Sequence, residues 1–186
     1  AIKCRLYAPL WIGWIIYEIA SPIFFGYFFL SGSLDLNNTK YVLLAIWFTH
    51  YFNRSIIYPL RQKDTSKKIP ILIVVSAIFF NFMNGFVCGY YLGNLADHLT
   101  NEWLTDPRFI AGGIVWLTGF LINLQSDNLL LGLRKPGEKG YKIPYGGFFK
   151  WISCPNHFGE IIEWTGFAIM CWGIPISTFA VWTAAN

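Results

Sequence analysis

The chain has 186 residues, of which 55% are hydrophobic, 19% aromatic and 13% charged. Soluble globular domains carry about 25% charged residues, so this composition excludes an ordinary soluble domain and predicts an integral membrane protein. The net charge of +4 does not indicate nucleic-acid binding, because the basic residues lie in loops between apolar runs. The four cysteines show no C-x-x-C spacing, which argues against a zinc site or a redox pair.

Five apolar runs reach the ~20 residues that a transmembrane helix needs. In chain order they are Leu6–Leu30, Tyr41–Leu60, Ile69–Gly93, Pro107–Leu133 and Phe158–Ala185. The last run is longer than one span requires and holds Gly173 and Pro175, so we predict two shorter helices joined near Trp172–Pro175. The predicted fold class is an all-α, multi-span transmembrane helix bundle, with residues 1–186 as a single domain.

The loop charges predict an orientation. The N-terminus and residues 61–68 and 134–150 carry an excess of Lys and Arg, whereas residues 31–40 are balanced and residues 94–106 are acidic. The positive-inside rule places the basic segments on the cytosolic side. The basic loop at 134–150 suits an anionic ligand at the membrane surface, and the alternative is a loop that only fixes the topology.

Ionisable and amide residues inside the runs predict a polar chamber open to the cytosol. Glu18 and His50 fall at mid-depth, and the others fall in the cytosolic half: Arg54, Asn123, Asp127, Glu160 and Glu163. A charge facing lipid costs at least about 2.5–3.5 kcal/mol, so these groups should face one another or a ligand. The alternative is a structural cluster of polar groups that ties helices together.

Several motifs of cofactor, metal and catalytic-serine sites are absent from the sequence: G-x-G-x-x-G after a strand, G-x-S-x-G, H-E-x-x-H and a Walker loop. A dinucleotide would therefore not bind in the Rossmann manner. His50, His98 and His157 are far apart, so no metal site is predicted. His98, in its acidic loop, is expected to be solvated.

Specific strings of residues resemble the steroid 5α-reductase family. The string LRKPGEKGYKIPYGGFF spans residues 133–149, and NHFGEIIEW spans residues 156–164. Further pieces agree in order: Glu18, HYFNR at 50–54, the N-G-x-x-x-G-Y-Y pattern at 84–91, TDPRF at 105–109 and NLQSD at 123–127. The chain resembles the true steroid reductase branch more than the enoyl-CoA or polyprenol reductase relatives.

The resemblance implies a membrane-embedded reductase of the C4–C5 double bond of Δ4-3-ketosteroids. Its bundle normally has seven helices, of which five to six are recognisable here, with NADPH in the cytosolic half and the steroid arriving from the membrane. Hydride goes to C5 and a proton is added at C4. The resemblance implies that Glu18 and Tyr51 are catalytic, through hydrogen bonds to the 3-ketone. It also implies that a second set of residues binds NADPH: Asn123, Asp127, Arg134, Tyr141, Asn156 and Glu160.

Two departures from the family pattern accompany the resemblance. The family has a further N-terminal helix and a C-terminal segment that touches the cofactor, and neither is recognised here, so this chain is expected to be a partial copy. Position 17 is Tyr, where the family has Gln before the Glu. The expected partners are a lipophilic steroid and membrane lipids, without nucleic acid, and the expected state is a monomer.

Other functions are compatible with the residue pattern. They are a related enoyl-CoA or polyprenol reductase, an S-adenosylmethionine-dependent isoprenylcysteine methyltransferase-like enzyme, and a transporter or scaffold without enzymatic activity. The lack of ionisable residues in the outer halves of the runs argues against a transport path. The expected location is the endoplasmic reticulum membrane of a eukaryote or the inner membrane of a bacterium, with the cofactor chamber facing the cytosol.

Overall fold

Helices dominate the computed structural model, which describes residues 6–133 and 142–186. Within these residues the helices are α1 (Leu10–Leu30), α2 (Asn38–Phe52), α3 (Tyr58–Leu60), α4 (Ile71–Asn94), α5 (Pro107–Gly132), α6 (Pro155–Cys171) and α7 (Ile174–Ala185). A π-helical turn, Asn53–Ile57, joins α2 to α3, and 3₁₀ turns cover Asn101–Thr105 and Gly147–Lys150. The predicted all-α membrane fold class is therefore confirmed.

Three of the described helices are long and apolar enough to cross a membrane: α1, α4 and α5. The second predicted run is helical throughout but changes type at the π-helical turn. The last run divides between α6 and α7, as predicted from Gly173 and Pro175. Trp172 takes the left-handed conformation at the break, with φ 46° and ψ 47°, and Pro175 lies in the first turn of α7.

The first and third runs begin with a short sheet that the sequence pattern did not predict. Strand β1 (Tyr7–Pro9) pairs antiparallel with β2 (Lys68–Pro70), with Tyr7 opposite Pro70. Helices α1 and α4 then start directly after Pro9 and Pro70. A residue before proline is biased towards extended backbone, which explains why Ala8 and Ile69 are extended rather than helical.

The fold comprises two compact units. The first unit contains the described residues up to Asp35 together with Leu44–Leu95, and the second contains Leu36–Leu43 and the described residues from Ala96 onward. The assignment of residues 1–186 to a single domain stays a prediction.

Helices α1 and α4 of the first unit meet through glycines on α4. A Cβ atom added at Gly89 would lie 2.5 Å from the Phe25 carbonyl oxygen, and one at Gly93 would lie 2.7 Å from that of Phe29. Small residues at every fourth position let helix backbones approach closely inside a membrane. One turn before Gly85, the buried Asn81 donates from Nδ2 to the Tyr17 carbonyl oxygen at 2.6 Å.

Helices α5 and α6 of the second unit meet in the same way. A Cβ atom at Gly119 would lie 2.5 Å from the Gly159 carbonyl oxygen, and one at Gly159 would lie 2.6 Å from the Asn123 backbone nitrogen. Gly112 and Gly166 form a second close contact seven residues along each helix. This contact fixes how the polar residues of α5 and α6 face each other.

Candidate functional site

Four of the residues predicted to bind the cofactor lie on α5 and the first turns of α6, in the second unit. Asn123 donates from Nδ2 to the Asn156 carbonyl oxygen at 3.0 Å and to Glu160 Oε1 at 3.2 Å. Asp127 lies one turn after Asn123 on α5 and is buried. Asn156 and Glu160 lie four residues apart, hence on one face of α6. We call Asn123, Asp127, Asn156 and Glu160 the amide–carboxylate cluster.

The amide–carboxylate cluster retains capacity for a ligand. Asn123 is 1% exposed, and its Oδ1 accepts no hydrogen bond from the part of the chain that the structure describes. A buried amide oxygen left without a donor is costly, so a ligand N–H or O–H group would stabilise it. The Glu160 side chain is 17% exposed and its Oε2 lies 3.9 Å from His157 Nδ1, so the cluster is partly open. These groups fit the ribose hydroxyls and the carboxamide of a nicotinamide dinucleotide.

Arg134 and Tyr141, the other two residues assigned to the cofactor, lie outside the described residues. Their roles stay predictions. Glu163, whose role the sequence left open, is fully buried on α6. It lies three residues beyond Glu160, and its backbone nitrogen and Cα border the Gly119 contact.

The two residues predicted to bind the ketone, Glu18 and Tyr51, lie in the first unit. Glu18 is half-buried in the middle of α1. Tyr51 is 4% exposed near the end of α2, so it is a buried phenol rather than an interfacial one. A half-buried acid and a buried phenol within apolar helices are the groups that polarise a carbonyl in a water-poor site.

Aromatic stacking holds the Tyr51 ring. Phe25 of α1 stacks on Trp47 with ring centroids 4.1 Å apart, and Trp47 contacts Tyr51 at 5.3 Å. The His50 ring meets Tyr51 edge-on at 4.9 Å. Ser55 Oγ donates to the Tyr51 carbonyl oxygen at 2.6 Å, within the π-helical turn. π-Helical turns inside helices often mark functional sites.

The Arg54 side chain packs on aromatic rings of α1 and α3. The Arg54 guanidinium carbon lies 5.1 Å from the Trp14 ring centroid and 5.2 Å from that of Tyr58. Trp14 precedes Glu18 by four residues and therefore shares its helix face. The four-residue spacing from Trp14 to Glu18 is the signal in the sequence that could have placed Trp14 on the same face as this acid.

The expectation that His98 is merely solvated is wrong. His98 is half-buried, its Nε2 lies 3.1 Å from the Cys171 carbonyl oxygen, and its ring meets Trp103 edge-on at 4.9 Å. Trp103 Nε1 donates to the Met170 carbonyl oxygen at 2.8 Å. The last carbonyl groups of a helix lack hydrogen-bond partners within it. The two rings therefore provide hydrogen-bond partners for carbonyl oxygens at the C-terminal end of α6.

The start of α5 is capped by an acid. Asp106 Oδ1 accepts from the Arg108 backbone nitrogen at 2.8 Å and from Arg108 Nε at 2.9 Å, while Oδ2 accepts from Nη2 at 2.8 Å. The side-chain and backbone hydrogen bonds from Arg108 lower the pKa of the Asp106 carboxyl to about 2. The Arg108 guanidinium also lies over the Trp103 ring at 4.2 Å.

Comparison with known proteins gives the family. The sequence profile described as 3-oxo-5-alpha-steroid 4-dehydrogenase matches residues 67–186. The human protein named 3-oxo-5-alpha-steroid 4-dehydrogenase 1 is 40% identical over 181 residues, covering 96% of this chain and 69% of the human protein. The Gossypium hirsutum protein named steroid 5-alpha-reductase DET2 is 38% identical over 180 residues, covering 94% of this chain and 69% of that protein. The resemblance predicted from the motifs is thus confirmed, and this membrane protein belongs to the 3-oxo-5-alpha-steroid 4-dehydrogenase, or steroid 5-alpha-reductase, family.

Proposed function

We propose that this chain is an NADPH-dependent oxidoreductase that reduces the C4–C5 double bond of Δ4-3-ketosteroids within the membrane. The names of its relatives supply the reaction class. The observation that carries the proposal to particular residues is the hydrogen bonding of Asn123 to both Asn156 and Glu160, while its amide oxygen accepts no hydrogen bond from residues 6–133 and 142–186.

The amide–carboxylate cluster is the part of the chain that we assign to NADPH. The bound dinucleotide would supply the hydride that C5 accepts. Asn123 Oδ1 can accept a hydrogen bond from an amide or hydroxyl of the cofactor, and the carboxylates of Asp127 and Glu160 can do the same. Arg134 suits the phosphate groups, because a guanidinium binds a phosphate with two parallel hydrogen bonds. Tyr141 and Asn156 complete the proposed set.

Glu18 and Tyr51 are the residues that we assign to the substrate ketone. Negative charge builds on the ketone oxygen when the conjugated carbon accepts hydride, so a donor there lowers the barrier. The Tyr51 hydroxyl is that donor, and the Glu18 carboxyl is its partner at the ketone. A preorganised donor of this kind contributes a factor of about 10²–10³ in rate. The proton for C4 is added after hydride transfer.

The route proposed for the steroid is lateral, from the bilayer. Helices α1 and α2 of the first unit border a groove of about 440 Å³ that includes Pro22, Gly26, Phe48 and Ser55. Phe52, the neighbour of Tyr51 in the chain, also lines the groove, so the groove lies beside the helical segment that carries the phenol. Apolar pockets of about 300–1,000 Å³ are the usual size for small lipophilic ligands.

The deciding experiment is turnover with a defined cofactor. Purified protein in nanodiscs is incubated with NADPH and a panel of 3-keto-Δ4-steroids, and the products are analysed by mass spectrometry. The expected product is two hydrogens heavier than the substrate, with deuterium at C5 when deuterated NADPH is supplied. A methylated product with S-adenosylmethionine, or reduction of enoyl-CoA thioesters alone, would contradict the proposal.

A further inference from the structure

The segment Lys142–Trp151 exposes large apolar side chains although it does not cross the membrane. Ile143 is 68% exposed, Tyr145 84% and Trp151 77%. Exposed apolar residues are ordinary on the lipid face of a spanning helix. This segment, however, has no regular secondary structure before the 3₁₀ turn Gly147–Lys150. Three such side chains within nine residues form a patch that water solvates poorly.

The irregular backbone of the same segment cannot lie within the hydrocarbon core of the membrane. Irregular backbone leaves N–H and C=O groups that need water or other partners, and lipid-exposed loops of this kind do not occur within the hydrocarbon region. The side chains therefore disfavour bulk water while the backbone disfavours the bilayer core. The headgroup layer satisfies both, because Tyr and Trp rings concentrate at the membrane–water interface.

The contact of the segment with α5 places it at the correct height. A Cβ atom at Gly147 would lie 3.2 Å from Leu129 Cδ1 and 3.6 Å from Gln125 Cδ. Leu129 is three residues from Gly132, where α5 ends. A 26-residue helix is about 39 Å long, whereas the hydrocarbon core is about 30 Å thick. A spanning helix of this length exceeds the core, so its ends reach the headgroup layers, and the segment packs near the C-terminal end.

The charges of the segment indicate the lipid. Lys142 and Lys150 flank the patch and are exposed, and residues 142–151 contain no acid. A lysine near an anionic membrane surface is attracted to its lipid headgroups. We propose that Lys142–Trp151 is an interfacial anchor, in which Ile143, Tyr145 and Trp151 insert among the headgroups of a leaflet containing anionic lipid and the two lysines bind the lipid phosphates or carboxylates.

Nitroxide labels test the depth of this segment in the membrane. Tyr145→Cys and Trp151→Cys are labelled in a protein whose Cys4 and Cys154 are replaced by Ser, since the other two cysteines are buried. Ile114→Cys on α5 provides a lipid-facing reference, and Asp97→Cys in an exposed loop provides an aqueous one. The nanodiscs contain phosphatidylcholine and phosphatidylserine at 7:3. The rates at which each nitroxide collides with oxygen and with a water-soluble nickel complex report its depth. For the labels at 145 and 151 these rates should lie between those of the lipid-facing and aqueous references.

Two further comparisons isolate the lipid. In pure phosphatidylcholine the label at 145 should move towards the aqueous reference, and the Lys142→Gln/Lys150→Gln variant should lose this dependence on lipid composition. If the labels at 145 and 151 were as accessible to the nickel complex as the label at 97, the proposed anchor would be contradicted. Dipolar broadening that disappears on dilution with unlabelled protein would assign the patch to a second copy of the chain, and would also overturn it. Neither measurement depends on enzymatic turnover.

Discussion

The Tyr51 hydroxyl can be removed without disturbing the ring packing that holds it. Tyr51→Phe keeps the contact with Trp47, at 5.3 Å, and removes the hydroxyl that is the proposed donor to the ketone. We expect turnover to fall by about 10²-fold or more, while NADPH affinity and the melting temperature stay close to those of the parent protein. Single-turnover reduction of a saturating steroid measures the effect.

Tyr90→Phe is the matched control for Tyr51→Phe. Tyr90 is a partly exposed tyrosine on α4, and the loss of its hydroxyl should leave turnover unchanged. If Tyr51→Phe turned over as fast as Tyr90→Phe, Tyr51 would have a packing role only.

Glu18→Gln tests the other ketone-binding residue. The amide keeps the size of the carboxyl group in α1 but changes its charge and hydrogen bonding, so turnover should fall strongly while NADPH binding is retained. A change of less than about twofold, equivalent to roughly 0.4 kcal/mol of activation free energy, would contradict the assignment. Product formation and NADPH titration are measured on the same preparation.

Asn123 and Asn81 form a natural pair for separating cofactor binding from stability. Both amides are at least 93% buried, and both donate to a backbone carbonyl oxygen. Replacing either with Ala removes a buried hydrogen bond and should destabilise the protein by about 1–3 kcal/mol. Only Asn123→Ala should weaken NADPH binding, by at least tenfold in a fluorescence titration. Equal losses of affinity in both variants would indicate a general effect of instability.

The glycine contact of α5 with α6 predicts different effects for neighbouring helical glycines. Ala at Gly119 would place a Cβ atom against backbone atoms of Gly159 and Glu163, whereas Ala at Gly113 would meet only Met170 Sδ, at 3.7 Å. Overpacking of this kind costs typically 1–3 kcal/mol. Gly119→Ala should lower the melting temperature and Gly113→Ala should not. Similar melting temperatures for the two variants would show that the helices separate freely.

The cap of α5 predicts a dependence on pH at the acidic end. The pKa of Asp106 is lowered from 3.8 to about 2, so the stabilisation that it provides is complete above pH ~5 and is lost as the pH falls through about 2. The carboxyl carbon of Asp106 in an NMR titration should therefore show a midpoint near 2. Arg108→Ala should raise that midpoint, and an unchanged midpoint would contradict the ion pair.

The helices were more predictable from the sequence than their ends. Runs of about 20 apolar residues gave α1, α4 and α5, and Gly173 with Pro175 gave the break after α6. The pairing of β1 with β2 was not predicted, because strands of three residues are too short to show an alternating pattern in the sequence. His98 was misjudged because its partner is a backbone carbonyl at the end of a distant helix, and residue types alone do not reveal such partners.

The amide–carboxylate cluster was predicted residue by residue, whereas its hydrogen bonds were not. A spacing of four residues puts Asn156 and Glu160 on one helix face, but only the packing of Gly159 on Asn123 shows which amide they meet. At the scale of the molecule, the two sets of assigned residues belong to different compact units. NADPH and the steroid should therefore each slow hydrogen exchange in a different unit.

Hydrogen exchange in nanodiscs checks this expectation. NADPH should protect the C-terminal half of α5 and the first turns of α6, which carry the amide–carboxylate cluster, because a ligand bound to the folded state suppresses local opening. A steroid should protect the π-helical turn after Tyr51. Residues 96–106 serve as the internal control, and protection appearing there but not in α5 and α6 would contradict the assignment of the cofactor site.

The glycine contacts also imply an order of events during biosynthesis. Helices α5 and α6 are consecutive in the chain, so Gly119 and Gly159 can meet as soon as one hairpin has been inserted. Helices α1 and α4 are separated by α2 and α3, so Gly89 reaches Phe25 only after the intervening chain has been synthesised and inserted. Until then the surface of α1 that receives the α4 glycines faces lipid or the insertion machinery, which makes the first unit the one that depends on assistance while the chain is still growing.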